Sequence, residues 1–177
     1  MSGPTVIVLA SGRGERFTAS GGAGHKLQAQ LGSKTVLQHT LDAVRASGLP
    51  WHLEASGQPG MGDSIAAAVA ATASAKGWLI LPADLPLIRA DTLRAVALAL
   101  QQHRVVLPLY RGQRGHPVAF SSTCRQALLD LKGDQGAAAV ARNCGAFELD
   151  VNDAGCVTDI DTVDDLHRAG GALSAEA

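Results

Sequence analysis

Aromatic residues make up only 3% of this 177-residue chain, too few for a surface that stacks single-stranded bases. Neither sign of charge is in excess. With 15 basic and 16 acidic residues the formal net charge is −1, so no strong field invites nucleic acid or a membrane surface. No apolar run approaches the ~18–20 residues that span a bilayer. The N-terminal stretch lacks the basic, apolar and cleavage regions of a signal peptide. Cysteine is limited to Cys124, Cys144 and Cys156, an odd number without CxxC spacing. That argues against a disulfide framework or a zinc site and for a reduced, cytoplasmic protein. There is no P-loop, because no Gly-Lys pair precedes a Ser or Thr. A dinucleotide fingerprint begins at Gly12 and Gly14 but has Phe17 at its third glycine, which removes the close helix–strand packing that glycine permits.

What is present starts with an apolar run, Thr5–Leu9, that opens into Ala10-Ser11-Gly12-Arg13-Gly14-Glu15-Arg16. A buried strand feeding a small, cationic, glycine-containing loop is a common way to hold phosphates. From Phe17 to His25 the chain reads as a mobile loop centred on Thr18–Gly24 and ending at Lys26. Thr35 is a plausible N-cap for a helix carrying Val36, Leu37, Leu41 and Val44 and ending at Gly48. A short strand, Trp51–Ala55, leads to a second glycine-rich loop, Gly57–Gly62, and a helix from Asp63 or Ser64 to Ala75. Trp78–Leu81 is a buried-type strand that stops at Pro82-Ala83-Asp84-Leu85-Pro86, so Asp84 falls just past its end. A helix over Asp91–Gln102 and a strand at Val105–Leu107 come next. A polar loop, Tyr110–His116, precedes β character at Pro117–Phe120. Two short helices are expected over Ser122–Leu131 and Gln135–Arg142, then a strand over Phe147–Val151 and a last helix near Val163–Arg168. The tail from Gly170 is small and polar and is expected to fray, leaving one domain over residues 1–170 and a tail over 171–177. Alternating strands and helices imply an α/β fold with a mainly parallel sheet flanked by helices, and such sheets bind ligands at the C-terminal strand ends.

Five pieces in order carry a further signal: Leu-Ala-Ser-Gly-x-Gly-x-Arg with a following Lys, Gly-Met-Gly-Asp-Ser, Leu-Pro-Ala-Asp-Leu-Pro, Arg-Gly-His-Pro-Val, and Asp-Ile-Asp-Thr. Together they resemble the nucleotidyltransferases of molybdenum-cofactor maturation from about Val6 to Leu166. The likeness is greater to the cytidylyltransferase branch, with the guanylyltransferase branch a near relative. The resemblance implies a Rossmann-like fold of nucleotide-diphospho-sugar transferase type. It implies attack by the terminal phosphate of molybdopterin on the α-phosphate of a nucleoside triphosphate, CTP favoured over GTP, with release of pyrophosphate. It implies Mg²⁺ as cofactor and a molybdoenzyme apoprotein as a further partner. Leu9, Ala10, Ser11, Gly12 and Gly14 would then face base and phosphates, with Gly60, Gly62 and Ser64 at base and ribose. Arg16 would hold the β- and γ-phosphates, and Lys26 the charge at the α-phosphate. Asp84 and Asp161 would bind the metal, with Asp159 as a lesser candidate, while Arg114, Gly115 and His116 would line the pterin site.

Each role has a plainer competitor. Arg16 and Lys26 can be solvated surface cations, and Asp84 can cap a turn between prolines. Asp161 can N-cap the last helix, His116 can be a core histidine, and Gly60, Gly62 and Ser64 can be an ordinary helix entry. Three departures from the family pattern stand out. Ser11 replaces the usual alanine, the stretch from Arg16 to Lys26 is longer, and a βα unit is missing between Gly48 and Gly60. The last predicts a sheet one strand short at an edge. A sugar-phosphate acceptor, or a non-catalytic role in binding nucleotide or cofactor during maturation, are the alternative functions.

Overall fold

A computed structural model describes residues 3–176. Met1, Ser2 and Ala177 lie outside the described residues, so the expected domain and tail are assessed within that range. The chain opens with β1, Thr5–Leu9, in which Val6, Ile7 and Val8 are all fully buried. Successive strand residues face opposite sides, so a continuous apolar run requires both faces of the sheet to be covered. Then come α1 (Glu15–Ala19), a hairpin of β2 (Gln30–Leu31) and β3 (Lys34–Thr35), α2 (Val36–Ser47) and β4 (Trp51–Glu54). The order continues with α3 (Met61–Ala71), β5 (Gly77–Pro82), α4 (Ala90–Ala99), β6 (Val105–Tyr110), β7 (Gln113–Arg114) and β8 (Val118–Ser121). Two short helices, α5 (Arg125–Leu129) and α6 (Ala138–Cys144), precede β9 (Phe147–Asp150) and the last helix, α7 (Val163–Glu176).

The main sheet has seven strands in the order β4-β1-β5-β8-β6-β7, with β9 also paired to β6. β4, β1 and β5 are mutually parallel, and β6 and β9 run the same way. β8 is inserted antiparallel between β5 and β6, and β7 turns back on β6. β4 forms one edge of the sheet and passes by a loop directly into α3, so the shortening between Gly48 and Gly60 falls at that edge. Val6, Val8, Leu79 and Leu81 face one helical layer, built from α2, α4 and α7. Ile7, Trp78 and Ile80 face the other, with α3, α5 and α6.

The α2 boundaries fall where the sequence puts them. Thr35 accepts from the Gln38 amide while the Gln38 side chain accepts from the Thr35 amide, and Gly48 closes the helix at φ 72°. Several bounds differ from expectation, α3 ending at Ala71 rather than Ala75 among them, and two differences matter most. Phe17, at the head of the supposed mobile loop, is 2% exposed on α1, and its ring fills the space a Cβ on Gly22 would need, 2.2 Å away. The insert is therefore packed on an aromatic anchor. At the other end, the helix expected near Val163–Arg168 runs on as α7 to Glu176, with Ala169 buried and Leu173 against the core.

Candidate active site

β1 and β5 are adjacent and in parallel register, so their C-terminal ends lie side by side, and the Ala83 amide donates to the Leu9 carbonyl at 2.9 Å. Asp84 therefore emerges beside the loop that begins at Ala10. A third segment joins them: the Ile160 amide donates to the Asp84 carbonyl at 3.0 Å. Ile160 is fully buried in the core, which turns its neighbours Asp159 and Asp161 the opposite way, toward the loop. These segments border a cleft of about 1370 Å³.

The charged side chains form one linked group. The Lys26 ammonium donates to Asp84 Oδ2 at 2.7 Å and to Asp161 Oδ1 at 3.2 Å, and Arg16 reaches Asp161 Oδ2 at 3.0 Å. Oxygens of Asp84, Asp159 and Asp161 lie within 4.8 Å of one another. Asp84 Oδ1 is buried without a hydrogen-bond partner among the described residues, a lone pair a cation would satisfy. Hard carboxylate oxygens so grouped suit a divalent cation. Burial alone would lower the Lys26 pKa, but the adjacent Asp84 and Asp161 carboxylates outweigh it and hold the ammonium above its ordinary value. Asp159 is pushed up from the usual carboxylate range, first by partial burial and then by Asp161 and Asp84 beside it.

Lys26 owes its place to local structure. It starts a 3-10 turn, Lys26–Gln28, whose Leu27 is buried. His25 caps that turn, its Nδ1 accepting from the Leu27 amide at 3.2 Å. Nε2 then carries the proton and donates to the Gly12 carbonyl, tying the far end of the insert to the phosphate-type loop. Ser20 fastens the middle: its hydroxyl donates to Phe17 O at 2.8 Å and accepts from the Val163 amide at 3.0 Å. His25 and Ser20 escape sequence reasoning, since neither stands in a local pattern. The cap of α7 was readable: Thr162 accepts from the Asp165 amide at 3.2 Å, and Asp165 accepts from the Thr162 amide at 2.9 Å. This Thr-x-x-Asp box takes over the capping role weighed for Asp161 and leaves the Asp161 carboxylate to the cations.

Of the residues singled out from sequence, Leu9, Ser11, Gly12, Gly14, Arg16, Lys26, Gly60 and Asp84 line the cleft, as do Arg114, Gly115, His116, Asp159 and Asp161. Ala10, Gly62 and Ser64 do not line it. Ala10 instead donates its amide to the Glu54 carbonyl at 2.9 Å. Ser64 is fully buried behind the wall with its hydroxyl 2.8 Å from that of Ser11. A Cβ on Gly60 would lie 2.2 Å from the Gly133 carbonyl oxygen, and one on Gly62 would lie 2.7 Å from that of Gln135. Both glycines are thus required by the close approach of the loop after α5. Arg114 pairs with Glu148 at 2.6 Å.

Among the described residues of the cleft, no thiol or hydroxyl is hydrogen-bonded to a histidine. Burial pushes the Cys156 thiol up to about 11, so it stays protonated at neutral pH. His116 Nδ1 has no partner among the described residues, and burial lowers the imidazole below its ordinary 6.5, against a smaller upward pull from Asp84. The unfolded chain therefore takes up a proton near 6.5 that the folded chain refuses, and stability falls as pH drops through that range. Between about pH 7 and about 5.5 the urea midpoint of the wild type is expected to fall more than that of His116→Gln. Parallel slopes for the two proteins would refute this.

Sequence and fold comparisons address the family and the fold. The family described as MobA-like NTP transferase domain matches residues 43–149, more than half of the chain. The purine catabolism protein PucB of Bacillus subtilis is 33% identical over 129 residues, a match spanning 70% of this chain and 62% of that protein. Rv0371c from Mycobacterium tuberculosis superposes with a TM-score of 0.81 at 24% identity, covering 96% of this chain and 98% of its own. A second Rv0371c structure is a complex with manganese (TM-score 0.75, 23% identity, 96% and 98% coverage). Molybdopterin-guanine dinucleotide biosynthesis protein A of Archaeoglobus fulgidus superposes with a TM-score of 0.70 at 16% identity, covering 97% of this chain and 99% of its own. The chain belongs to the MobA-like NTP transferase domain family.

Proposed function

We propose that this nucleotidyltransferase transfers a nucleoside monophosphate, CMP from CTP in preference to GMP from GTP, to the terminal phosphate of a molybdopterin-type acceptor, with release of pyrophosphate. One observation carries the reading: two cations and three carboxylates meet at the mouth of a phosphate-type loop, with Lys26 and Arg16 on the same Asp161. An acceptor phosphate is already an anionic nucleophile, so the reaction needs no general base. It needs alignment and charge neutralisation, which this site offers. Arg16 is 77% exposed at its side chain and free to turn toward the β- and γ-phosphates, while Lys26 would neutralise charge at the α-phosphate. Asp84 and Asp161, with Asp159 beside them, would hold Mg²⁺, which screens the triphosphate and polarises the reacting phosphorus. The manganese complex of Rv0371c supports a divalent cation at a fold of this kind. Arg114, Gly115 and His116, which line the same cleft, are assigned to the acceptor.

The test is pyrophosphate release with Mg²⁺ and each of CTP, GTP, ATP and UTP, in the presence of molybdopterin or of a sugar 1-phosphate. Turnover with molybdopterin and CTP is expected. Turnover with the sugar phosphate alone would move the acceptor assignment, and no turnover with any triphosphate would leave a binding role in maturation.

A further inference from the structure

We propose that Lys26 is the built-in counter-cation of the Asp84–Asp161 pair, so that a divalent cation binds this site far more tightly together with a nucleoside triphosphate than alone. The inference rests on the nucleotidyltransferase reading for the identity of the second ligand. Its first part rests on the arrangement of this chain alone.

The Lys26 ammonium occupies the space between the two carboxylates, 2.7 Å from Asp84 Oδ2 and 3.2 Å from Asp161 Oδ1. Its side chain is only 13% exposed, so this is a held position rather than a swinging surface contact. Each Asp161 oxygen already faces a cation, Oδ1 the Lys26 ammonium and Oδ2 the exposed Arg16. Asp84 keeps one, the buried and unpartnered Oδ1. A cation arriving alone therefore finds one free carboxylate oxygen on this pair. It can take Asp161 Oδ2 by turning the exposed Arg16 aside, but the two oxygens that face Lys26 become available only if that ammonium withdraws. Withdrawal into a cleft without a ligand would strip a partly buried ammonium of its partners, which is costly. A triphosphate removes that obstacle. Its oxygens offer both cations new partners in the same cleft, and the released carboxylate oxygens turn to the metal. Metal and nucleotide then raise each other's affinity by the same factor, as linkage requires.

The experiment is a Mn²⁺ titration followed by loss of the free-ion electron paramagnetic resonance signal, with and without CTP. It is run on wild type, Lys26→Met, Lys26→Met/Asp84→Asn and Arg13→Met. Arg13 lines the same cleft but pairs with Glu15, so it controls for removing a nearby charge. Lys26→Met is expected to bind Mn²⁺ without nucleotide about tenfold or more tighter than wild type. CTP is expected to sharpen binding in wild type far more than in Lys26→Met. Arg13→Met should stay within about threefold of wild type. Lys26→Gln is titrated instead if the methionine variant does not fold. Equal or weaker Mn²⁺ binding by the Lys26 variant overturns the proposal, since the cation would then sit on Asp84 Oδ1 beside the ammonium. A gain that survives Asp84→Asn, or that Arg13→Met reproduces, also overturns it. None of these readouts needs turnover, so an inactive protein would sink the transferase reading and leave the Lys26 comparison legible.

Discussion

Asp84→Ala is expected to lower nucleotidyl transfer by about a thousandfold or more while leaving the fold intact. The backbone around it is set by bonds that do not use its side chain: Ala83 N to Leu9 O at 2.9 Å and Ile160 N to Asp84 O at 3.0 Å. Its carboxylate does three things that alanine cannot. It partners Lys26, it offers the unpartnered Oδ1, and it completes the carboxylate group with Asp159 and Asp161. Lys26 keeps Asp161, and removing an unsatisfied buried oxygen offsets part of the lost pairing. The thermal midpoint should therefore move by only a few degrees or less. Pyrophosphate release measured against a midpoint control separates the two effects. A variant that keeps a tenth of the wild-type rate would remove Asp84 from the chemistry.

Much of this site can be read from the sequence because its residues stand at ends of strongly patterned elements. Asp84 follows a strand whose Leu79 and Leu81 are fully buried, and the break into Pro82-Ala83 marks where that strand stops. Thr35 and Gly48 bracket α2 by local chemistry alone. What the sequence hides is long-range and singular. Phe17 is one aromatic on a five-residue helix, too short for a period, and its burial depends on Gly22 passing over its ring. The fastening of the insert by His25 and Ser20 joins residues 13 and 143 positions apart, through backbone groups that no side-chain pattern announces. Gly60 and Gly62 lie in a motif that points to nucleotide, yet contact with the Lys132–Gln135 loop is sufficient to require glycine at both. The antiparallel β8 between β5 and β6 has no local signature, because direction in a sheet is set by the connections around a strand.

Gly155→Ala is expected to cost about 3 kcal/mol or more, a drop on the order of 6–12 °C in thermal midpoint for a chain of this size. A Cβ there would lie 2.0 Å from the Leu87 carbonyl oxygen and 2.3 Å from its carbon, and backbone cannot step aside as a flexible side chain can. Asp153 pins the same turn in place. It accepts from the Arg89 amide at 3.0 Å, the Thr92 hydroxyl at 2.6 Å and the Gly155 amide at 2.9 Å. Relief of the clash must therefore either break buried hydrogen bonds or move Cys156, whose carbonyl accepts from the His116 amide at 2.9 Å. The damage should reach the acceptor wall of the cleft as well as stability. Gly171→Ala supplies the opposite sign. Gly171 lies inside α7 with nothing within 4 Å of an added Cβ, so alanine should stabilise by about 0.5–1 kcal/mol through helix propensity. Urea unfolding of both variants reads fold and tail together. A silent Gly171→Ala would mean that the tail frays after all, whereas a tolerated Gly155→Ala would mean that the turn carrying Asp153 is not packed on Leu87.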